Sequence, residues 1–272
     1  MECSLTTTPR LWPYAAATHI PSIATDSSVR EAFRILQRCP EGMMLVRDAS
    51  GSCVGLLTTA CIYSFYLAQH GNVDLGRVQV GDVPLHPAGT LEPSAGVGEA
   101  LERLMEEPVL LLRRERQTEA LAVTCMTILS CYGEIFPELS WSKVRQILQP
   151  VEEVLDSSLP LGEAADVMMR NRVRTAVIVH NEVPWAAVTA DEVAEWNMRA
   201  ALCKALDRGA HVPCSLLQAM AARCSVSPSS SIAELAALFS NRTCRAAAVA
   251  DSRGALQGVV TAERLLLLAQ QR

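Results

Sequence analysis

A single structural unit is repeated four times along this 272-residue chain, and no other feature constrains the fold as much. Each unit starts with a helix-like segment whose third residue is glutamate and ends with an apolar segment that closes on threonine. The threonine follows its glutamate by 25 to 27 residues, and consecutive threonines are 66, 65 and 72 residues apart. This regular period indicates one supersecondary unit used four times. The glutamates are Glu31, Glu99, Glu163 and Glu234, and the threonines are Thr58, Thr124, Thr189 and Thr261.

The apolar pattern inside each unit predicts its secondary structure. The segment around the glutamate has apolar residues at i, i+3, i+4 and i+7, which is typical of a helix with one buried face. Capping residues precede it, as in Asp26–Ser28. A short strand, a turn such as Asp48–Gly51 and a second strand follow, and another helix starts at the threonine. Each unit is therefore predicted to be an α/β arrangement of helix, strand, turn, strand and helix.

The repeat also divides the chain into domains. We predict an N-terminal extension over residues 1–14, followed by units over 15–75, 76–138, 139–205 and 206–272. One such unit is too small to bury its apolar surface alone, so four units should form two pairs. Any binding site is then expected in a cleft between paired units.

Composition excludes several kinds of partner. The net charge is −5 with no basic stripe, and aromatic residues make up 4% of the chain, so no nucleic-acid partner is expected. No secretory signal or long apolar run is evident, so we expect no membrane partner and a cytoplasmic location, with the nucleus as a second compartment. The ten cysteines contain no C-x-x-C pair, and we expect them to be reduced and mostly buried.

The threonines stand where a strand ends and a helix begins. Free N–H groups and a partial positive charge at a helix start suit phosphate and ribose oxygens. A carboxylate three residues after the threonine could accept hydrogen bonds from two ribose hydroxyls. The alternative is that each threonine only caps its helix, which threonine does well.

This arrangement resembles a known family. An apolar residue, Thr, two residues and then an acid, present here as Thr189 and Glu192, resembles the CBS domain, whose tandem pairs are called Bateman modules. The stretches 22–33, 54–59 and 202–208 are similar to the γ subunit of AMP-activated protein kinase. The resemblance implies two Bateman modules packed as a disc. It also implies a non-catalytic, energy-sensing subunit that needs no cofactor, binds AMP, ADP or ATP, and joins kinase α and β subunits in an SNF1-type heterotrimer.

The sequence departs from the family pattern at the residues expected to contact ribose and phosphate. Only Glu192 is acidic among the residues three after each threonine, where the others are Cys61, Thr127 and Arg264. The family's cation before the first strand is replaced by Gly42 in the first unit and is missing from the second. The remaining ligand chemistry therefore lies in the third and fourth units. The candidate nucleotide-binding residues are Thr189, Glu192, Arg174 with Arg172 nearby, Thr261, Arg245 and Arg264, with Thr58 and Thr124 as the matching threonines of the first pair.

Two other classes of function compete with nucleotide sensing. Cys61, His70 and Asp74 are close in sequence and could suggest a nucleophilic enzyme, but no P-loop, zinc-protease or hydrolase motif accompanies them. The second class is a CBS scaffold, or a regulator of another enzyme or a transporter, that has lost most nucleotide binding. The depleted ribose and phosphate positions favour that class.

Overall fold

The computed structural model describes residues 20–39, 42–92, 94–107, 109–112, 121–206, 215–219, 224–242 and 244–271. The predicted extension over 1–14 lies outside these ranges. Four separate three-stranded sheets are present among the described residues, one in each predicted unit. The strands are β1 (Ser22–Ala24), β2 (Met43–Arg47), β3 (Cys53–Thr58), β4 (Gly89–Leu91), β5 (Leu110–Leu112), β6 (Leu121–Val123), β7 (Glu153–Asp156), β8 (Thr175–His180), β9 (Val183–Thr189), β10 (Ser225–Val226), β11 (Ala246–Ala250) and β12 (Leu256–Thr261).

Helices flank each sheet. Within the described ranges, none of them combines the length and the apolar character needed to cross a bilayer. Two short 3-10 turns, Val80–Asp82 and Val144–Gln146, lie in the segments that precede the second and third sheets. The helices are α1 (Val29–Leu36), α2 (Thr59–Ala68), α3 (Val97–Leu104), α4 (Cys125–Ser130), α5 (Tyr132–Ile135), α6 (Pro137–Ser140), α7 (Leu161–Arg170), α8 (Ala190–Leu206), α9 (Leu216–Ala219), α10 (Ile232–Arg242) and α11 (Ala262–Gln270).

The predicted hairpin forms the last two strands of every sheet, which pair antiparallel. Each sheet also has a first strand that the sequence pattern did not predict. This strand runs parallel to the middle strand, as in the pairing of Ser22 with Leu45 in the first sheet. These first strands contain only two to four residues. They are too short to show the alternation that identifies a strand in sequence.

The predicted apolar faces of the first helices are buried. All four apolar positions of α1 and α3 are inaccessible, and the same holds for α10. In α7, Leu161, Ala164 and Met168 are buried, while Ala165 is only partly buried. The helical period in the sequence therefore identified the side of each helix that faces the core.

The sheets pair face to face in two modules. Residues of β2 and β3 form one apolar cluster with residues of β5 and β6, including Leu45, Leu56 and Leu111. A second cluster joins the sheets of the third and fourth units through residues such as Val177 and Val259. The chain thus has the fold of two tandem modules, as predicted from the four-fold repeat.

Helices connect one module to the other. The amino-terminal half of α8 contributes Val193 to the core of the third unit, whereas Leu202 and Leu206 near its end enter the core of the first unit. The second and fourth units share another core, in which Ile128 of α4 and Phe239 of α10 are buried. The modules are therefore joined in two places by helix packing.

Two glycines allow connecting segments to cover sheet edges. Leu56 in β3 exchanges backbone hydrogen bonds of 2.8 and 3.0 Å with His86, and Val259 in β12 does the same with Gln149 at 2.9 and 3.0 Å. A Cβ atom on Gly55 would lie 2.9 Å from the carbonyl oxygen of His86, and one on Gly258 would lie 2.7 Å from that of Gln149. Glycine therefore permits this close approach, which leaves those two edges paired rather than open.

The domain boundaries remain predictions. Each sheet lies within one predicted unit, but α6 runs across the boundary at 138/139 and α8 extends one residue past the end of the third unit. These helices belong to the packing between units, so the repeat period alone does not locate a boundary there.

The prediction that all cysteines are reduced is wrong for one pair. Cys224 and Cys244 form a disulfide in the fourth unit. They lie just before β10 and β11, two neighbouring parallel strands, and this pairing brings together residues that are 20 positions apart in the sequence. Cys39, Cys53, Cys61 and Cys131 are free thiols.

Truncation of Leu202 should destabilise the chain although this residue belongs to a helix of the third unit. Its side chain is fully buried in the core of the first unit. Leu202→Ala should lower the free energy of unfolding by about 2–5 kcal/mol because it leaves a cavity. Urea denaturation followed by circular dichroism measures this change. Lys204→Ala, an exposed position of the same helix, is the control, and an equal loss there would contradict the shared core.

Candidate functional site

All four repeated threonines cap a helix. In each case the threonine Oγ1 accepts a hydrogen bond from the backbone N–H of the residue three positions later. The donor–oxygen distances lie between 3.2 and 3.3 Å. This contact satisfies one of the free N–H groups at the helix start. The capping role is therefore present in every unit, and a role of these threonines in ligand binding stays a prediction.

Glu192 is the centre of the candidate site. Its side chain is only 5% exposed at the start of α8. Oε2 accepts hydrogen bonds from the Thr189 N–H at 2.8 Å and from the Thr189 hydroxyl at 3.0 Å. Oε1 accepts the backbone N–H of Arg245 at 2.8 Å. The carboxylate thus joins the helix start of the third unit to the segment that enters β11 of the fourth.

Two opposing effects set the charge of Glu192. Burial raises the pKa of this carboxyl above its ordinary value, while the N–H groups of Thr189 and Arg245, the Thr189 hydroxyl and the Arg245 charge act in the other direction. A carboxylate offers about four acceptor positions, and three are used by the protein. One further hydrogen bond fits without displacing a protein donor, so a ribose that presents two hydroxyls must displace one.

Arg174 and Arg245 occupy matching positions in the third and fourth units. The carbonyl oxygen of Arg174 accepts the N–H of Ala190 at 2.9 Å, and that of Arg245 accepts the N–H of Ala262 at 2.7 Å. Each arginine backbone therefore lies beside the helix start of its own unit, and both side chains are exposed. Arg172, two residues before Arg174, is also exposed and has a positive φ of 55°.

The contacts of these two arginines to glutamates differ. The Arg174 N–H donates to Oε2 of Glu152 at 2.6 Å, whereas the Arg245 N–H donates to Glu192. In the part of the chain that the structure describes, no hydrogen bond links Arg174 to Glu192. The structure therefore brings together Thr189, Glu192 and Arg245. The backbone of Arg174 instead contacts Glu152.

Arg264 is the second candidate binding arginine of the fourth unit, after Arg245. It follows Thr261 in α11 and is partly buried, and among the described residues its buried Nε has no hydrogen-bond partner. An unpaired buried donor is unfavourable, so an acceptor placed there would be stabilised. The Thr261 hydroxyl donates to Oε1 of Gln149 at 3.3 Å. Gln149 was missed in the sequence analysis because it belongs to the segment between the second and third units.

The matching positions of the first module are occupied by protein contacts. Cys61 is 6% exposed, and its sulfur accepts a hydrogen bond from the Thr58 hydroxyl at 3.3 Å. Thr124 and Thr127 are 2% and 1% exposed and form a reciprocal capping box. Cys61 also belongs to the core of the first unit, which gives it a structural role instead of the nucleophilic one considered above.

A cation from another unit lies beside Gly42. A Cβ atom on Gly42 would be 2.8 Å from Oε1 of Glu195 and 3.3 Å from Nη2 of Arg199, both on α8. Arg199 forms an ion pair of 2.7 Å with Glu195, and its buried Nε has no hydrogen-bond partner within the ranges that the structure describes. The sequence analysis missed Arg199 because its proximity to Gly42 depends on the packing of the two modules. Its only local signal was the i, i+4 spacing from Glu195.

A separate recess lies between α2 and α8. Its volume is about 440 Å³, and Tyr66, Asn72, Asp74 and Lys204 contribute to its walls. It shares no residue with the predicted nucleotide site. Within the described ranges, no group of three or more His, Cys, Asp or Glu residues is arranged to hold a metal ion.

Residues 218–270, which include most of the fourth unit, match the family model of the CBS domain. This part of the chain is similar to a CBS domain. None of the curated proteins compared with the chain is significantly similar in sequence. The four repeated units, of which the last matches the family model, confirm the predicted fold class of tandem CBS units in two Bateman modules.

Two solved structures show the same fold along nearly the whole chain. A Methanocaldococcus jannaschii protein, described as a candidate archaeal homologue of γ-AMPK, matches 96% of this chain and 100% of its own, with 15% identity and a TM-score of 0.67. An uncharacterised conserved protein from Pyrococcus horikoshii matches 92% of this chain and 95% of its own, with 13% identity and a TM-score of 0.53. A Pyrobaculum aerophilum CBS domain protein complexed with AMP matches 48% of this chain and 98% of its own, with 17% identity and a TM-score of 0.35.

The buried carboxyl of Glu192 should make stability depend on pH. Because its pKa is raised in the folded chain, the folded state binds more protons than the unfolded state at pH values above the ordinary value of 4.5. The free energy of unfolding should therefore fall as the pH rises from 4.5 to the folded pKa. Glu192→Gln removes this dependence. As the pH rises from 4.5 to the folded pKa, the free energy of unfolding of the variant should therefore increase relative to that of the wild type.

Urea unfolding at a series of pH values measures this difference. Glu234→Gln is a suitable control because Glu234 also accepts a backbone N–H at a helix start, from Ser231 at 2.9 Å, but is exposed. It reports the loss of a capping contact without the loss of a buried carboxyl. A difference between Glu192→Gln and wild type that stays constant or decreases with pH would contradict the prediction.

Proposed function

We propose that this CBS-domain protein is a non-catalytic regulatory subunit that senses AMP, ADP or ATP and controls a protein kinase of the SNF1 or AMP-activated type. It would act in the cytoplasm, in a heterotrimer with the kinase α and β subunits. The observation that carries the proposal is the hydrogen bond between the buried Glu192 carboxylate of the third unit and the Arg245 N–H of the fourth. This contact supports the proposal because it brings an acceptor suited to ribose next to the fourth unit.

The surrounding groups suit the rest of a nucleotide. Arg245 brings an exposed guanidinium next to Glu192, and a guanidinium can bind phosphate through two parallel hydrogen bonds. Arg264 adds a donor without a partner one turn into α11. A ribose near Glu192 and phosphates near these arginines would therefore use the chemistry that remains in the second module.

The likeness of whole chains supports the kinase part of the proposal. The Methanocaldococcus jannaschii structure is matched over its full length and is described as a candidate homologue of γ-AMPK. The stretches 22–33 and 54–59 of this chain resemble the same subunit in sequence. CBS-domain proteins are typically regulatory, which agrees with a non-catalytic role.

The contact at Glu192 also suggests how a nucleotide would be sensed. A ribose with two hydroxyls would compete with the Arg245 N–H for Glu192, so binding would alter the contact between the third and fourth units. A ligand shifts a conformational equilibrium only by its different affinity for the two states. Coupling free energies of this kind are typically about 1–3 kcal/mol, so a modest shift in kinase activity is expected.

A CBS scaffold without a small-molecule ligand is the second candidate function. The three hydrogen bonds that Glu192 accepts from the protein itself favour it, because they occupy most of its acceptor positions. In that case Glu192 serves only to hold the two units together. The first module agrees with this candidate, because Cys61 and Thr127 replace the acids that would contact ribose.

Isothermal titration of the full chain with AMP, ADP and ATP, each without magnesium, separates the two candidates. We expect a single weak site, and Arg245→Glu should reduce the affinity at least about ten-fold by replacing a phosphate donor with a negative charge. The control is Arg253→Glu, the same charge change on an exposed arginine at the β11–β12 turn. No heat and no thermal shift with any nucleotide, or unchanged affinity in Arg245→Glu, would contradict the proposed site.

The partner part of the proposal has its own test. The chain, tagged and isolated from its native cells, should bring down a kinase catalytic subunit and a β subunit in equal amounts, identified by mass spectrometry. The recovery of a different enzyme, with no kinase, would favour a regulator of that enzyme.

A further inference from the structure

The disulfide of the fourth unit lies next to the contact that closes the candidate site. Cys244 directly precedes Arg245, whose N–H donates to Glu192. The other partner, Cys224, donates its own N–H to the carbonyl oxygen of Trp185 in β9 at 3.2 Å. Both ends of the disulfide are therefore attached to the third unit by backbone N–H groups, that of Cys224 itself at one end and that of Arg245, the residue after Cys244, at the other.

The same disulfide fixes the start of two strands of the fourth unit. The carbonyl oxygen of Cys224 accepts the N–H of Ala248 in β11 at 3.0 Å. Cys244 lies at the entry of β11, and the two sulfurs are bonded. Reduction would remove the covalent tie between the segment at Cys244 and the segment before β10, so the Arg245 backbone would then be held by its hydrogen bonds to Glu192 and Ala262. The restraint most directly released is therefore the one on Arg245.

The two sulfurs differ in access to solvent. Cys224 is 2% exposed, whereas Cys244 is partly exposed and precedes an exposed arginine. Thiol–disulfide exchange needs a sulfur that the attacking thiolate can reach. Exchange should therefore begin at Cys244.

We propose that Cys224 and Cys244 form a reversible redox site that controls the opening of the Glu192 cleft. A small-molecule disulfide of the oxidised-glutathione class is the oxidant. The Cys244 thiolate attacks one sulfur of this disulfide and expels the first small thiolate, and the Cys224 thiolate then attacks Sγ of Cys244 and expels the second. Two protein thiols become one disulfide, the small disulfide becomes two thiols, and the two protons pass to these thiols.

The oxidised state holds Arg245 against Glu192, and the reduced state releases it. Oxidation would therefore weaken nucleotide binding by strengthening the contact with which a ribose must compete. This consequence for affinity rests on the proposed function. The effect on the Arg245 backbone does not, because it needs only the bond between Cys224 and Cys244 and the contact to Glu192.

The test uses the full chain, equilibrated in reduced or in oxidised glutathione buffer. Alkylation and peptide mapping report whether Cys224 and Cys244 are linked. Hydrogen–deuterium exchange of the Arg245 amide should be about ten-fold slower in the oxidised chain, and the AMP affinity from titration should be about ten-fold lower. Cys244→Ser should behave like the reduced chain in both buffers. Cys53→Ser, which removes a partly buried free cysteine from the first unit, should still respond to oxidation.

The readouts separate two kinds of failure. If the two cysteines stay unlinked in the oxidised buffer, or if they link without slowing exchange at Arg245, the redox site is disproved. If exchange responds as expected but neither state binds AMP, ADP or ATP, the redox site stands and the proposed nucleotide function fails.

Discussion

The burial of α8 in the cores of two units is the interaction on which the arrangement of the modules depends. This helix is 17 residues long, so it spans roughly 25 Å. Its first turn carries Glu192, which contacts the fourth unit, and Leu202 and Leu206 near its other end fill the core of the first unit. A rotation or shift of α8 would disturb packing at both ends, because buried side chains tolerate little change in position. The candidate site and the contact between modules are therefore linked by one rigid element.

The same chemical groups serve capping and ligand binding at the helix starts. A free N–H group at a helix start can be satisfied by a side chain of the chain itself or by an oxygen of a ligand. Here each threonine takes up one such N–H group. In the first module the caps of Thr58, which is partly buried, and Thr124, which is buried, are completed by Cys61 and Thr127, and these helix starts have little to offer a ribose. In the third unit, the acid that completes the cap is also the acceptor that a ribose would need.

The sequence pattern predicted the parts of the fold that depend on local periodicity. The buried faces of α1, α3 and α10 and the antiparallel hairpins follow from spacing within one unit. The short parallel first strands were missed, since two to four residues show no alternation. The Cys224–Cys244 disulfide and the proximity of Arg199 to Gly42 were missed because both depend on which strands and helices are neighbours in space. At the site, the pairing of Thr189 with Glu192 could be predicted, but not the hydrogen bond that Glu192 accepts from Arg245 of the next unit.

The two modules differ in the order in which the edge-covering segment and the strand it covers are synthesised. His86 follows β3 in the chain, so the segment that covers the edge of the first sheet is made soon after the strand it covers. Gln149 covers β12, which is synthesised much later, after the whole of the third unit. The first module can therefore complete this edge while the chain is still growing. In the second, the segment around Gln149 must wait for the fourth unit, and its unpaired backbone stays available to chaperones, or to other chains, for longer.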